Sequence, residues 1–229
     1  RAPLRRGLPT VYAEAGRDRA TSLGDMLFST AFRILVDGDD VKAVAEISDT
    51  AVDLARGELM QRRGAFNTSL EETEYLDRCR LKTARLFEAA CVLGRDSVGD
   101  GDGDVVALFG HRIGLAFQML DDVLDIAGPV ERTGKARGTD LLDGTVTLPF
   151  IEAAKVDPTL RDYDLASLDE VAAEALCDRI SASGALGSVG SGAGGLIEEA
   201  RAGLTGSAIE RGQRKLLDLI ADGVVLRYS

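Results

Sequence analysis

The chain has 229 residues, of which 45% are hydrophobic and 28% are charged. That length and composition are typical of a folded protein with one domain, or at most two small ones, and exclude a chain that is disordered throughout. The formal net charge is −11. So acidic a surface would repel a phosphate backbone, which argues against nucleic-acid binding. No apolar run approaches the roughly 18 residues of a membrane span.

Histidine and cysteine usage narrows the chemistry further. The one histidine, His111, excludes His-rich zinc sites and most His-dependent catalytic triads. The three cysteines, Cys79, Cys91 and Cys177, are widely spaced and odd in number. They indicate reduced thiols in the core of a cytoplasmic protein rather than a disulfide framework.

The first residues, RAPLRRGLPT, look like the interior of a protein rather than its beginning. Residue 1 is Arg1, and no signal-peptide pattern follows it. We therefore expect residues 1–229 to form a single domain that lacks its N-terminal part.

Helical periodicity dominates the chain, whereas the period-two patterns of strands hardly occur. Apolar spacing and two possible capping boxes, Ser69 with Glu72 and Ser167 with Glu170, predict helices over residues 41–60, 69–93, 104–126, 167–180 and 207–226. The third helix is apolar over a wide arc and should be central. The Gly- and Ser-rich segment 181–195 is predicted to be a loop. The fold class is therefore all-α, a helical bundle.

Three aspartates, Asp121, Asp122 and Asp125, lie in FQMLDDVLDIAG on the most apolar predicted helix. Positions i and i+4 share a helix face, so Asp121 and Asp125 should project together with Asp122 beside them. Carboxylates in an apolar stripe repel one another unless a cation joins them. Mg²⁺ prefers oxygen ligands and recruits substrate phosphates to its remaining positions, so the motif predicts a magnesium site. The alternative, a solvated acidic helix end, is disfavoured by the apolar neighbours.

The segment TGKARGTDLLDG follows that helix and has the composition of a phosphate-binding loop. Lys135 and Arg137 supply cations close to the aspartates, and Asp140 could extend the metal site. Gly134 and Gly138 would let the backbone close over a phosphate. An ordinary charged loop is the alternative.

Two further residue pairs, one of two arginines and one of a lysine and a threonine, are weaker signals when each is taken alone. The adjacent Arg5 and Arg6 suit bidentate phosphate contacts, although paired arginines are common on surfaces. Lys82 and Thr83 lie on a mostly apolar predicted helix, where a lysine either snorkels to solvent or has a function.

Taken in order, these motifs resemble those of the trans-isoprenyl (polyprenyl) diphosphate synthases. The matching segments are RRGLPT at 5–10, GD at 24–25, GELMQ at 57–61, KT at 82–83, FQMLDDVLD at 117–125, GKARGTD at 134–140 and TLPF at 147–150. The similarity covers nearly the whole chain, and the pairing of FQxxDDxxD with GKxxGTD is highly specific.

The resemblance implies antiparallel helices around a central cavity, the isoprenoid synthase type of fold. It implies a Mg²⁺-dependent prenyltransferase, a cytoplasmic homodimer, that condenses isopentenyl diphosphate with an allylic diphosphate. Asp121, Asp122 and Asp125 match the second of the family's two metal-binding aspartate motifs.

By the same resemblance, Lys82, Thr83, Gln118 and Lys135 match positions that contact the allylic diphosphate or stabilise the developing cation. Of these, Lys82, Thr83 and Gln118 are the expected catalytic residues. In the family pattern Arg5 matches a contact to the allylic diphosphate, and Arg6 matches one to isopentenyl diphosphate.

The sequence also departs from the family pattern. The first aspartate motif, DDxxD, should precede RRG and is not visible, because the sequence begins at Arg1; Thr145 stands where the family often has Lys. Two alternatives therefore stay open. A class I terpene cyclase shares the ionisation chemistry, but RRG and GKxxGTD disfavour it. A non-catalytic partner subunit of a prenyl synthase gains weight if the first motif is truly absent.

Overall fold

The computed structural model describes residues 4–5, 8–96, 103–128 and 137–226. A short antiparallel pair of strands, β1 (Leu4–Arg5) and β2 (Leu8–Pro9), precedes the helices. The helices are α1 (Val11–Asp37), α2 (Val41–Arg63), α3 (Glu72–Cys79), α4 (Arg85–Asp96), α5 (Gly103–Ala127), α6 (Thr139–Leu142), α7 (Leu148–Val156), α8 (Glu170–Ala182), α9 (Ala185–Gly203) and α10 (Arg211–Leu226). A π-turn, Arg80–Ala84, joins α3 to α4, and 3₁₀ turns at Pro158–Asp162 and Leu165–Ser167 join α7 to α8. The all-α prediction is confirmed.

Two compact units divide the chain, residues 1–49 and residues 50–229. In the smaller unit, α1 begins after Thr10, whose hydroxyl oxygen accepts a hydrogen bond from the Ala13 amide. The helix is kinked at Gly16, whose φ of 80° lies in the left-handed region that favours glycine. The expectation of a single domain over 1–229 stays a prediction.

Helix α5 forms the centre of the larger unit and packs most extensively against α9 and α4. Its buried face carries Phe109, Ile113, Ala116, Met119 and Ile126 at helical spacing. Each large apolar side chain buried in this way stabilises the fold by roughly 1.5–3 kcal/mol. The prediction of a central, buried helix over 104–126 is confirmed within a residue at each end.

Both predicted capping boxes are wrong. Helix α3 begins three residues after Ser69, and its N-cap is Glu71, which makes no side-chain cap hydrogen bond. The N-cap of α8 is Asp169, whose carboxylate accepts a hydrogen bond from the Ala172 amide. A carboxylate caps a helix as well as a hydroxyl does, and Asp169, two residues after the predicted Ser167, is the cap.

The predicted loop over 181–195 is also wrong, because most of that segment lies in helix α9. Its buried residues are Ala185, Val189, Ala193, Ile197 and Ala200, a helical stripe. Glycine and serine lower the intrinsic helix propensity. Here their small size allows close packing: a Cβ at Gly192 would lie 3.2 Å from the Met119 Cε atom on α5.

Among the residues that the structure describes, no helix combines the length and the apolar character that crossing a bilayer requires.

Candidate active site

A polar cavity of about 210 Å³ lies within the larger unit. Residues from α2, α3, the π-turn, α5, α6 and the start of α7 line it: Gln61, Arg78, Cys79, Lys82, Thr83, Gln118, Asp121, Asp122, Asp140, Thr145 and Thr147. The structure thus brings together six residues that the sequence predicted for the site: Lys82, Thr83, Gln118, Asp121, Asp122 and Asp140.

Lys82 and Thr83 lie in the π-turn, where the helix is locally wider than an α-helix. Helix α2 approaches this turn very closely: a Cβ atom at Gly57 would lie only 2.6 Å from the Lys82 backbone nitrogen. Any side chain at position 57 would therefore push the two helices apart. The glycine of the GELMQ motif is explained by this contact, which also brings Glu58 and Gln61 beside the lysine.

The Lys82 ammonium group is held by two partners on α2. Its Nζ donates a hydrogen bond to Gln61 Oε1 at 2.8 Å and lies 2.9 Å from Glu58 Oε2. The hydrogen bond from Lys82 is the main reason that the pKa of Glu58 lies below its ordinary value. Gln61 Nε2 in turn donates to Thr145 Oγ1 at 3.2 Å. Lys82 is therefore fixed at the cavity wall and does not simply extend into solvent.

Four side chains form a continuous hydrogen-bonded chain through α3, α5 and the π-turn. Thr83 Oγ1 donates to Gln118 Oε1, Gln118 Nε2 donates to Asp122 Oδ1, and the Tyr75 hydroxyl donates to Asp122 Oδ2, each at 2.7 Å. Burial and then the Asp122 charge raise the pKa of Tyr75 well above its ordinary value. The hydroxyl group therefore stays protonated and can donate its hydrogen bond to Asp122.

Asp122 is 2% exposed, and its environment disfavours a negative charge. Burial and then the neighbouring Asp140 carboxylate raise the pKa of Asp122 to about 8, although the hydrogen bonds from Tyr75 and Gln118 and the Arg78 charge act in the opposite direction. A cation bound in the cavity would favour the ionised carboxylate.

Asp125 contacts the segment that follows α5, and its assignment to the metal site stays a prediction. Its Oδ2 accepts a hydrogen bond from the Asp140 amide at 3.0 Å, and its backbone carbonyl accepts one from Gly138 at 2.8 Å. Asp121 lines the cavity, whereas Asp125 is outside the set of described residues that do. In this structure, the Asp125 carboxylate fastens the start of α6 to α5.

The structure describes only some of the basic residues that the sequence predicted for the site. Arg137 Nε donates to the Ile126 carbonyl at 2.8 Å, and its Nη1 lies 2.9 Å from Asp178 Oδ1, so this guanidinium joins α5 to α8. Lys135 and Arg6 lie outside the described residues. Arg5 is placed in β1 by its backbone, and its side chain lies outside the description.

Three residues around the cavity escaped the sequence reasoning: Tyr75, Arg78 and Gln61. Arg78 is buried, and its Nη2 donates to the Val146 carbonyl at 2.8 Å. Arg78 precedes Lys82 by four residues, and residues at this spacing share a helix face, so the sequence could have indicated that Arg78 lies on the same side as Lys82. Gln61 lay within the quoted GELMQ motif. For Tyr75 there was no local signal, because its partner Asp122 is 47 residues away.

The side chains around the cavity limit how a magnesium ion could be held there. Among the described residues, no group of three or more Asp, Glu, His or Cys side chains could hold a metal ion by itself. Mg²⁺ is usually held by one or two carboxylates, several waters and substrate phosphates. Asp121, Asp122 and Asp140 line the same cavity as Lys82 and Arg78. The site therefore fits an ion shared with a bound phosphate group, and does not fit one caged by the protein alone.

Known proteins are similar to this chain in sequence and in fold. The family model for polyprenyl synthetase matches residues 1–175. The chain is 38% identical to the heptaprenyl diphosphate synthase component 2 of Geobacillus stearothermophilus and 38% identical to the geranylgeranyl diphosphate synthase of Methanosarcina mazei. These matches cover 66% and 67% of this chain and 48% and 49% of those proteins, so the chain spans about half the length of these relatives.

A solved structure extends the similarity to the fold. The polyprenyl synthase of Caulobacter crescentus, in complex with calcium and isoprenyl diphosphate, superposes with a TM-score of 0.91 at 30% identity. The match covers 99% of this chain and 71% of that one. The isoprenoid synthase fold is therefore confirmed, and the chain belongs to the polyprenyl synthetase family.

Proposed function

We propose that this chain carries the prenyl-transfer site of a polyprenyl diphosphate synthase, and that its polar cavity binds an allylic diphosphate together with Mg²⁺. The observation that carries the proposal is one cavity lined both by two cations, Lys82 and Arg78, and by Asp121, Asp122 and Asp140. Cations suit the diphosphate directly, and carboxylates suit a metal ion that neutralises it.

The reaction begins with heterolysis of the allylic C–O bond, and the diphosphate leaves with the bonding electron pair. Held by Asp121 and Asp122 in the cavity, together with Asp125 as the resemblance implies, Mg²⁺ would act as a Lewis acid toward the leaving group. The Lys82 ammonium, fixed by Gln61 and Glu58, would bind the same oxygens as their charge grows. We further assign Lys135 and Arg5 to the allylic diphosphate and Arg6 to isopentenyl diphosphate.

The resulting allylic cation accepts the double-bond electrons of isopentenyl diphosphate, so that a new C–C bond forms. A carbon next to the newly cationic centre of the former isopentenyl group then loses a proton, which the departing diphosphate can take. The Thr83 hydroxyl donates a hydrogen bond to Gln118 Oε1, and the lone pairs of its oxygen remain available to the allylic cation. Thr83 and Gln118 are accordingly proposed to stabilise the cation.

A second cavity supports the proposal, because the reaction needs space for a hydrocarbon chain. It has a volume of about 590 Å³ and a mostly apolar lining from α4, α5 and α10, including Phe87, Phe109 and Ile113. Ile113 precedes Gln118 by five residues on α5, which corresponds to about 7.5 Å along the axis. Excluding water from such a space would protect the cation.

We also propose that the protein works as a cytoplasmic homodimer, as the resemblance implies. Helix α1 supports this proposal because four of its large apolar side chains, Met26, Leu27, Phe28 and Ile34, are more than half exposed. A second copy of the chain would cover such a surface. Size-exclusion chromatography with light scattering tests it: a mass of twice 24.2 kDa is expected, and a monomer at micromolar concentration contradicts it.

The function is tested by incubating the purified chain with farnesyl diphosphate, labelled isopentenyl diphosphate and Mg²⁺. Label in a longer prenyl diphosphate is expected. A cyclic hydrocarbon formed from farnesyl diphosphate alone would favour the terpene cyclase instead. Incorporation that requires an added synthase subunit would favour the non-catalytic partner.

A further inference from the structure

Tyr75 is a buried polar side chain that the mechanism above does not use. Its relative exposure is 0%, and it lies on α3 outside the set of described residues that line the polar cavity. The hydroxyl group nevertheless reaches the cavity wall, because it donates to Asp122 Oδ2 at 2.7 Å. Tyr75 can therefore influence the site only through another residue.

The contact leaves Asp122 able to bind a cation. Gln118 and Tyr75 each donate to a different oxygen of the carboxylate. A carboxylate oxygen has two lone pairs, so each oxygen keeps one that can face the cavity. The two donors fix the plane of the carboxylate and the direction of those lone pairs, which is how outer hydrogen bonds orient metal ligands.

The same contact acts on the other end of the hydrogen-bonded chain. Because Asp122 accepts from Gln118 Nε2, the Gln118 amide presents Oε1 to the Thr83 hydroxyl. A carboxylate free to rotate would release this arrangement. One hydroxyl group on α3 thus fixes the orientation of side chains on both α5 and the π-turn.

Packing alone does not account for a tyrosine here. The ring fills the core beside Arg78, whose guanidinium carbon lies 5.2 Å from the ring centroid. A phenylalanine would fill the same volume and keep the cation–π contact. What it would lose is a donor to a buried carboxylate, a group that is costly to leave without partners.

We propose that Tyr75 is a positioning residue that orients Asp122 for the metal–diphosphate complex and, through it, the Gln118 amide. This inference rests on the proposed function, since it assumes that Asp122 binds a cation bridged to a diphosphate.

The test is the affinity of the chain for radiolabelled inorganic pyrophosphate in the presence of Mn²⁺, measured by equilibrium dialysis. Tyr75→Phe should weaken binding about tenfold, the lower end of the range for removing an outer hydrogen bond. Tyr163→Phe is the matched control. It also deletes one phenol hydroxyl, which accepts from Arg179 Nη1 at 3.3 Å, and should leave binding unchanged.

A double variant separates positioning from general damage to the fold. If Tyr75 acts through Asp122, the Tyr75→Phe change should weaken binding no further in an Asp122→Asn background. A further loss in the double variant contradicts the inference, and this comparison remains informative if Tyr75→Phe alone fails to fold.

The outcomes also distinguish the inference from the proposed function. Binding that Tyr75→Phe leaves unchanged contradicts the inference and leaves the proposed function standing. If the unaltered chain binds no Mn²⁺–pyrophosphate, the proposed function fails, and the positioning role fails with it.

Discussion

The Thr83 hydroxyl donates a hydrogen bond to the Gln118 side-chain carbonyl at 2.7 Å, across a sequence separation of 35 residues. This contact joins the π-turn to α5. It explains how a lysine–threonine pair and an aspartate-rich helix become one site: each motif supplies a side chain that fixes the other.

Replacing Gly57 should disturb the π-turn from a distance. The Cβ atom of Gly57→Ala would meet the Lys82 backbone at 2.6 Å, so the helices must separate. We expect the free energy of unfolding to fall by about 1–3 kcal/mol, the usual cost of overpacking, and turnover to fall as well. Chemical denaturation checks this, with Gly223→Ala as control, since a Cβ there meets no described atom within 4 Å. Equal stability of the two variants would contradict the packing account.

Removing the Lys82 ammonium should affect the rate more than substrate binding. Its charge is needed most when the leaving diphosphate gains charge, so Lys82→Ala should lower kcat more than it raises KM. Steady-state kinetics measure both constants. The exposed Lys215 on α10 supplies the control, and Lys215→Ala should match the unaltered chain. If Lys82→Ala changes only thermal stability, the lysine has no role in catalysis.

Asp121 is expected to be essential for turnover and dispensable for folding. Asp121→Ala removes a carboxylate from the cavity wall, and turnover should fall on the order of 10²–10³-fold, as when a group that stabilises transition-state charge is deleted. The melting temperature should be retained. Asp77→Ala, which changes an exposed carboxylate on α3, is the control. Near-normal turnover of the Asp121 variant in saturating Mg²⁺ would refute the metal assignment.

The buried cysteines should react slowly while the protein is folded. Burial raises the pKa of Cys79 to about 12 and the pKa of Cys177 to about 11, so both thiols stay protonated at pH 8. In the unfolded chain a thiol ionises near pH 8.5, and the thiolate is the reactive form. Because the unfolded state then loses protons first, the free energy of unfolding should also fall as the pH rises above about 8.5.

Thiol titration with a disulfide reagent, with mass spectrometry to identify the cysteines modified, checks this prediction. Reaction should be slow at pH 8 in buffer and rapid in guanidinium chloride. Fast modification of Cys79 or Cys177 in the folded protein would contradict their burial.

The sequence predicted the parts of the site that depend on local spacing. Gln118, Asp121 and Asp122 occupy one helix, and the apolar residues around them indicated that it would be buried. Asp125 shows what this rule leaves out. Its position four residues after Asp121 gives the same helix face, but the Asp140 amide on α6 donates a hydrogen bond to its carboxylate. That contact joins residues 15 positions apart and cannot be read from periodicity.

Contacts between distant segments likewise could not be predicted from the sequence. Nothing in the local sequence pairs Tyr75 with Asp122 or Gln61 with Thr145, because these contacts exist only after α3 packs on α5 and α2 reaches the segment between α6 and α7. Helix α9 illustrates the same limit for secondary structure. Its glycines and serines indicate a loop by propensity, and packing of its small-residue face against α5 overrides that preference.

The polar cavity is proposed to hold a diphosphate between Lys82 and the aspartates of α5, and a crystal structure of the chain with Mg²⁺ and inorganic pyrophosphate tests this proposal. Pyrophosphate is expected in the cavity, with an oxygen within hydrogen-bonding distance of Lys82 Nζ and a metal ion between another oxygen and Asp121. Pyrophosphate bound away from the cavity, or a metal ion that does not contact Asp121, would contradict it.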